Sequence, residues 1–171
     1  VVIEDSMYRG VLVEQYNHSQ FSNLPANAVF EDLTIRGTGG VNAKTSGLAF
    51  SAFEVNTSGV IVNDALIEDN PVVGFKGYLI GSSTIINGLE INNNGKPLTN
   101  TPINDRAGLF LRSVNWAPII NDLVVTNSTG PGILLWKGGA MGQDWWTSDN
   151  GGNGADFREF HPQVTILRSL D

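Results

Sequence analysis

The chain repeats one two-part sequence unit, and this repeat is the feature that most limits its fold. The first part is two apolar residues, Glu or Asn, Asp or Gly, and alternating apolar residues before a polar turn. It occurs as VFEDLTIRGT, IVNDALIEDN, IINGLEINNN and IINDLVVTNS, beginning at Val29, Ile61, Ile85 and Ile119. The second part begins with glycine, as GVLVEQY, GLAFSAF, GFKGYLI, GLFLRSV and GILLWKG from Gly10, Gly47, Gly74, Gly108 and Gly132. A fixed order of this kind predicts stacked equivalent units.

Alternate positions of the second part differ in character. The first and third positions after glycine are nearly all apolar: Val11, Leu48, Phe75, Leu109 and Ile133, then Val13, Phe50, Gly77, Leu111 and Leu135. The positions between them mix apolar, polar and charged residues. A period of two with one apolar face is typical of strands that face a core.

The repeat predicts an all-β fold, a right-handed single-stranded parallel β-helix of about five coils in which each strand pairs with its equivalent in the next coil. Residues 1–171 form one domain, with loop excursions at 93–108 and 136–163. An antiparallel sandwich also has short alternating strands, but it has no reason to repeat a two-strand unit. The last residues, VTILRSLD, resemble the start of another coil, so we expect a fragment of a longer helix.

Asparagine recurs at the turns of the repeat. Asn63, Asn87 and Asn121 occupy equivalent positions, and stacking at about 4.8 Å places their amides within hydrogen-bonding reach. A second equivalent set follows each strand and consists of Asp69, Asn93 and Asn127. Both residue types tolerate the left-handed backbone of tight bends. We therefore expect these residues to have structural roles.

Composition narrows the possible partners. The chain has 17 acidic and 10 basic side chains, a net charge of −7 and no cysteine. We expect no nucleic-acid partner, because phosphate binding requires a basic surface. No apolar run reaches the roughly 18 residues of a membrane span, so we expect no membrane insertion. Zinc and EF-hand spacings are missing from the sequence, and we expect neither metal nor cofactor.

One outward column of the second part mixes chemical groups that bind sugars. We expect Glu14, Ser51, Tyr78, Arg112 and Trp136 to align on one outer face, where a linear polysaccharide would lie along them. The alternative is a solvated face whose neighbouring Leu12, Phe110 and Leu134 are covered by a loop or a second subunit.

Residues 136–163 carry the candidate catalytic groups. Asp144 with Asp156 or Glu159 would supply the two carboxylates of a glycoside hydrolase, which lie about 5 to 9 Å apart. Trp145 and Trp146 would bind substrate or pack on the fold. A lyase would instead use a base such as Arg158 or His161 with cationic neutralisation of the substrate.

The IINDL and GILLW repeats resemble the parallel β-helices of the pectate-lyase-like superfamily, which includes lyases, glycoside hydrolases, uronan epimerases and phage tailspike depolymerases. The resemblance covers nearly the whole chain, but it specifies fold and not chemistry. Because an acidic protein is a poor host for an acidic polymer, the net charge favours a neutral or mixed-charge glycan and hydrolysis over a lyase reaction. The resemblance implies an extracellular or virion-surface protein, tailspike-like, that recognises and depolymerises a polysaccharide. A homotrimer is the assembly it implies. The alternative is a non-catalytic β-helix adhesin or structural shaft.

Overall fold

The computed structural model describes residues 1–6, 9–14, 27–39, 51–78, 80–95, 106–112, 117–158 and 166–167. Its strands fall into two sheets. The first sheet contains β1 (Val2–Glu4), β3 (Ala28–Arg36), β5 (Val60–Glu68), β7 (Ile85–Asn92), β9 (Ile119–Thr126), β11 (Met141–Ser148) and β13 (Ile166–Leu167). The second contains β2 (Val11–Glu14), β4 (Ser51–Asn56), β6 (Val73–Tyr78), β8 (Leu109–Arg112), β10 (Ile133–Trp136) and β12 (Ala155–Arg158). No helix in these ranges is long and apolar enough to cross a bilayer.

The chain alternates between the two sheets, strand by strand. Each sheet strand pairs in parallel with the strand one repeat away, from β1 to β13 in the first sheet and from β2 to β12 in the second. The all-β prediction and the parallel pairing are confirmed. The topology is compatible with a parallel β-helix, and its described strands number seven and six, more than the predicted five coils contain.

The register of the first sheet follows the sequence repeat. Val29 lies beside Ile61, Ile61 beside Ile85, and Ile85 beside Ile119. Met141 continues the same row. The four first-part stretches therefore align in the structure residue for residue as they do in the sequence.

The register of the second sheet was predicted correctly for the repeats that begin at Gly10, Gly74, Gly108 and Gly132 and wrongly for the repeat at Gly47. Phe75 lies beside Leu109, and Leu109 beside Ile133, which also aligns the preceding Gly74, Gly108 and Gly132. Phe53, however, is the partner of Phe75, so Ala52 holds the position predicted for Gly47. Gly47 itself lies outside the described residues. The error arises because LAF after Gly47 and FEV after Ala52 both place two apolar residues two positions apart behind a small residue, so the local pattern fits either register, although the two differ by five residues.

The core lies between the two sheets and consists of side chains stacked repeat over repeat. Leu33, Ala65, Leu89 and Leu123 continue one inward row from the first sheet and are all buried. From the second sheet, Phe53 packs edge-to-face against Phe30 and Phe75, with ring centroids 5.2 Å apart in both pairs. Because each row buries the same position in every repeat, one apolar pattern is enough to specify the whole core.

The predicted asparagine ladder is confirmed, but its members lie within β5, β7 and β9 and not at turns. The Asn87 amide donates to Asn63 Oδ1 at 3.1 Å, and the Asn121 amide donates to Asn87 Oδ1 at 3.0 Å. In the second predicted set, Asp69, Asn93 and Asn127 all have φ between 53° and 55°. Their position is the left-handed bend for which Asn and Asp are suited.

A further polar column is fully buried and was missed by the sequence reading. It runs through Thr38, Asn70, Asn94 and Ser128, which are at most 2% exposed. Asn94 Oδ1 accepts hydrogen bonds from the backbone and side chain of Asn70 at 3.1 and 2.8 Å, and its amide donates to the Ile67 carbonyl at 2.8 Å. These bonds serve turn backbone that no strand partner satisfies.

The predicted loop at 136–163 contains two strands, and that prediction was wrong. Strand β11 pairs with β9, and β12 pairs with β10, so both sheets continue through this segment. The repeat is not recognisable in the sequence of β11 because Gly142 and Trp145 replace the Ile and Leu of the usual pattern. A Cβ on Gly142 would clash with the Ile120 carbonyl, which accepts the hydrogen bond from the Trp145 indole. Of the other predicted excursion, residues 96–105 lie outside the described ranges.

Replacing Asn94 with alanine tests the buried column. We expect Asn94→Ala to lower the free energy of unfolding by about 3 kcal/mol, because it leaves buried donors and acceptors of Asn70 and Ile67 without partners. Urea titration measures the change. The matched control is Asn93→Gly, which keeps the left-handed backbone and should change stability by less than about 0.5 kcal/mol. Equal effects of the two substitutions would contradict the assigned role of the column.

Candidate functional site

One outward column of the second sheet carries aromatic and charged side chains in vertical succession. We call it the outer stripe, and its members are Glu14, Asn56, Tyr78, Arg112, Trp136 and Arg158. The pairings Glu14 with Asn56, Tyr78 with Arg112, and Trp136 with Arg158 set its order. The prediction placed Ser51 where Asn56 stands. Ser51 is buried beside Val73 instead, as the corrected register of β4 requires.

Arg112 lies between two aromatic rings of the outer stripe. Its guanidinium carbon is 5.4 Å from the ring centroid of Tyr78 and 5.4 Å from that of Trp136. Both distances fall within the range of a cation–π interaction. The two contacts restrict the rotamers of the arginine, and they occupy ring surface that the prediction reserved for stacking against sugars.

Several polar atoms of the outer stripe are buried without a hydrogen-bond partner. Within the described part of the chain they are Asn56 Oδ1, Arg112 Nε and Trp136 Nε1. A buried polar atom without a partner costs about 1 to 3 kcal/mol. Such atoms are uncommon in folded proteins and are found at functional sites among other places.

The column beside the outer stripe is mostly covered within one chain. Phe110 is 7% exposed and Leu134 is 0% exposed, and they form a small cluster with Val73 and Ala107 against which Trp136 packs. These two apolar residues therefore need no second subunit to cover them. Leu12, at the other end of this column, is 44% exposed.

Glu54 is a buried carboxylate in the same column, at the position predicted for Ala49. It pairs with Arg9 at 2.7 Å and Lys76 at 3.5 Å. Ser51 and Asn56 donate hydrogen bonds to it at 3.1 and 2.9 Å. Burial alone would raise the pKa of Glu54, but the hydrogen bond from Asn56, the charge of Lys76 and the contacts with Arg9 outweigh it, and the net shift of the pKa is downward.

The predicted catalytic carboxylates do not form a pair in the described residues. Asp144 lies exposed in the first sheet with φ of 57°, in the same left-handed column as Asp32, Asp64 and Asp122. Asp156 lies in the second sheet and accepts hydrogen bonds from Arg158 at 3.0 and 2.6 Å. Glu159 lies outside the described residues. Asp144 and Asp156 thus project from different sheets and do not share a face.

The two adjacent tryptophans have different environments. Trp145 is 2% exposed and donates from its indole nitrogen to the Ile120 carbonyl at 2.8 Å, so the predicted substrate contact is not available to it. Trp146 is 49% exposed beside Val124 on the outer face of the first sheet. Alternation within β11 explains the difference, because consecutive side chains point to opposite faces. Trp146 therefore lies on a different sheet from the outer stripe.

Comparison of the chain with protein-family models, with curated protein sequences and with solved structures gives no match. Within the described ranges, no three side chains of the His, Cys, Asp and Glu types are grouped so that they would hold a metal ion.

Acid titration tests the role of Glu54. Because its pKa is lowered in the folded state, the carboxylate stabilises the fold above its ordinary pKa of 4.5, and this contribution is lost as the pH falls through the lower folded value. We expect Glu54→Gln to reduce stability at pH 7 by about 1 to 2 kcal/mol and to weaken the loss of stability on acidification. Urea unfolding at several pH values from about 3 to about 7, the range in which carboxyl groups titrate, measures both effects.

The control for this titration is Glu90→Gln, since Glu90 is an exposed carboxylate on the outer face of the first sheet. Its replacement, an exposed surface substitution, should change stability at pH 7 by less than about 0.5 kcal/mol. If Glu54→Gln retained the full acid sensitivity of the unmodified chain, the buried network would not be its source.

Proposed function

We propose that this chain is a segment of a right-handed parallel β-helix that binds a polysaccharide along the outer stripe, as part of an extracellular or virion-surface protein. Right-handedness follows from the rule for crossovers between parallel strands, and the two alternating parallel sheets support the β-helix. Five strand spacings separate the first and last stripe residues, which gives a stripe about 24 Å long. A linear polymer is the ligand whose shape fits such a surface.

The observation that carries the proposal is the placement of Arg112 between Tyr78 and Trp136. All three side chains are partly exposed. The guanidinium and the phenol are polar groups beside the apolar surface of two rings, which is the combination that sugar rings require.

Recognition is the activity that this geometry supports best. Depolymerisation by hydrolysis requires a carboxylate pair about 5 to 9 Å apart, and the described residues bring no such pair together on the outer stripe. A non-catalytic adhesin or structural shaft agrees with the same structural observations as polysaccharide recognition does. A homotrimer remains part of the proposal, with the exposed Leu12 rather than Phe110 or Leu134 available for subunit contact.

Affinity electrophoresis against purified capsular and lipopolysaccharide glycans tests the proposal. We expect the chain to be retarded by at least one glycan and Tyr78→Ala to weaken binding by about tenfold, since it removes one ring from the stripe. Trp146→Ala is the matched control, because Trp146 is an exposed aromatic residue on the other sheet. Circular dichroism establishes that both variants fold.

Two results of this experiment would contradict the proposal. The first is the lack of retardation by any glycan. The second is loss of binding in Trp146→Ala with binding unchanged in Tyr78→Ala, which would place the ligand on the first sheet. Incubation of the same glycans with the chain separates the activities: new reducing ends indicate hydrolysis, unsaturated uronates detected by ultraviolet absorbance indicate a lyase, and unchanged polymer indicates binding alone.

A further inference from the structure

Arg112 is a cation of the outer stripe that no described acidic side chain neutralises. The other described stripe arginine, Arg158, is paired with Asp156 at 2.6 Å. In the neighbouring column, Glu54 is already held by Arg9 and Lys76. Arg106 also lacks a described ion pair, but it precedes β8 and lies outside the outer stripe.

The remaining carboxylate of the outer stripe is too distant to compensate this charge. Glu14 and Arg112 are separated by three strand spacings, which is about 14 Å. That separation exceeds the Debye length of about 8 Å at physiological ionic strength. The guanidinium is therefore a local positive charge on a protein whose net charge is −7.

The two rings hold the guanidinium in one orientation, so that a ligand must match it in shape as well as in charge. Contacts with Tyr78 and Trp136 restrict the orientation of the guanidinium before any ligand binds. Its Nε is buried without an acceptor, while the side chain as a whole is partly exposed. A planar, oriented guanidinium matches a carboxylate, which it binds through two parallel hydrogen bonds.

The geometry points to a sugar that carries a carboxylate as the unit that contacts Arg112, with Arg112 as the residue that selects it. This inference rests on the proposed function and makes the polysaccharide an acidic one, contrary to the preference for neutral glycans that net charge alone suggests. A neutral polymer would leave the guanidinium uncompensated. A carboxylated polymer supplies the missing anion at the one stripe position where a described cation is unpaired.

Chemical reduction of the glycan carboxylates tests the inference. Hyaluronan, polygalacturonate and uronate-containing capsular polysaccharides are each assayed by affinity electrophoresis before and after conversion of the carboxylate to a primary alcohol. We expect at least one acidic polymer to bind and its reduced form to bind at least about tenfold more weakly. Arg112→Gln should lose affinity for the acidic form by a similar factor and should bind the two forms equally.

Arg36→Gln is the matched control, because it removes one positive charge from an exposed arginine of the first sheet that pairs with Glu4 and Glu68. Its affinity for the acidic polymer should remain within about twofold of the original. Circular dichroism again verifies folding.

The outcomes separate this inference from the proposed function. Equal binding of a polymer and its reduced form by the unmodified chain overturns the inference and leaves glycan binding intact. Selective binding of acidic forms that Arg112→Gln retains also overturns it, since another residue would then be the selector. Failure of every glycan to bind, acidic or neutral, removes the proposed function and this inference together.

Discussion

The whole structure depends on parallel pairing in register, in which each strand hydrogen-bonds to the equivalent strand one repeat away. This pairing places identical sequence positions above one another, so a residue type that suits one repeat must suit its neighbours. The buried column through Asn70 and Asn94 shows the requirement most clearly. Each asparagine satisfies backbone groups of the adjacent repeat, which means that a shift of one residue would leave several buried polar groups without partners. The same register assembles the outer stripe from strands that are distant in the sequence.

The sequence repeat was sufficient to predict four strands of the first sheet, β3, β5, β7 and β9. Asn63, Asn87 and Asn121 form their ladder as expected, because equivalent positions in a repeat become neighbours in a parallel stack. The run Asn92, Asn93 and Asn94 contains three roles that composition alone does not separate. Asn92 accepts side-chain hydrogen bonds from Thr126 and Asn127, Asn93 adopts the left-handed backbone, and Asn94 is buried. Backbone conformation distinguishes Asn93 and burial distinguishes Asn94, and both are set by the tertiary structure.

The prediction failed where a local sequence pattern fitted two registers and where unusual residues replaced the expected apolar ones. The sequence offers two apolar pairs for this strand, Leu48 with Phe50 and Phe53 with Val55, and the structure uses the second, which stacks Phe53 on Phe75. Strand β11 was not recognised in the sequence because a small residue, Gly142, and a large one, Trp145, replace the Ile and Leu of the other repeats. Consequently the outer stripe was predicted in four of its members, Glu14, Tyr78, Arg112 and Trp136, whereas Asn56 and Arg158 required the observed register. The carboxylate pair was inferred from the presence of acidic residues in one segment, which carries no information about the sheet on which each side chain lies.

Engineered disulfides measure the register of the second sheet most directly, since the described residues contain no cysteine that would interfere. Asn56 and Tyr78 directly follow the paired Val55 and Gly77, which gives them the separation of adjacent strands, about 4.8 Å, within reach of a disulfide. The pair Asn56→Cys and Tyr78→Cys should therefore oxidise readily to an intramolecular crosslink. The pair Ser51→Cys and Tyr78→Cys should not, because Ser51 lies beside Val73, five residues away along the strand. A crosslink in the Ser51 pair without one in the Asn56 pair would contradict the stacking on which the outer stripe depends.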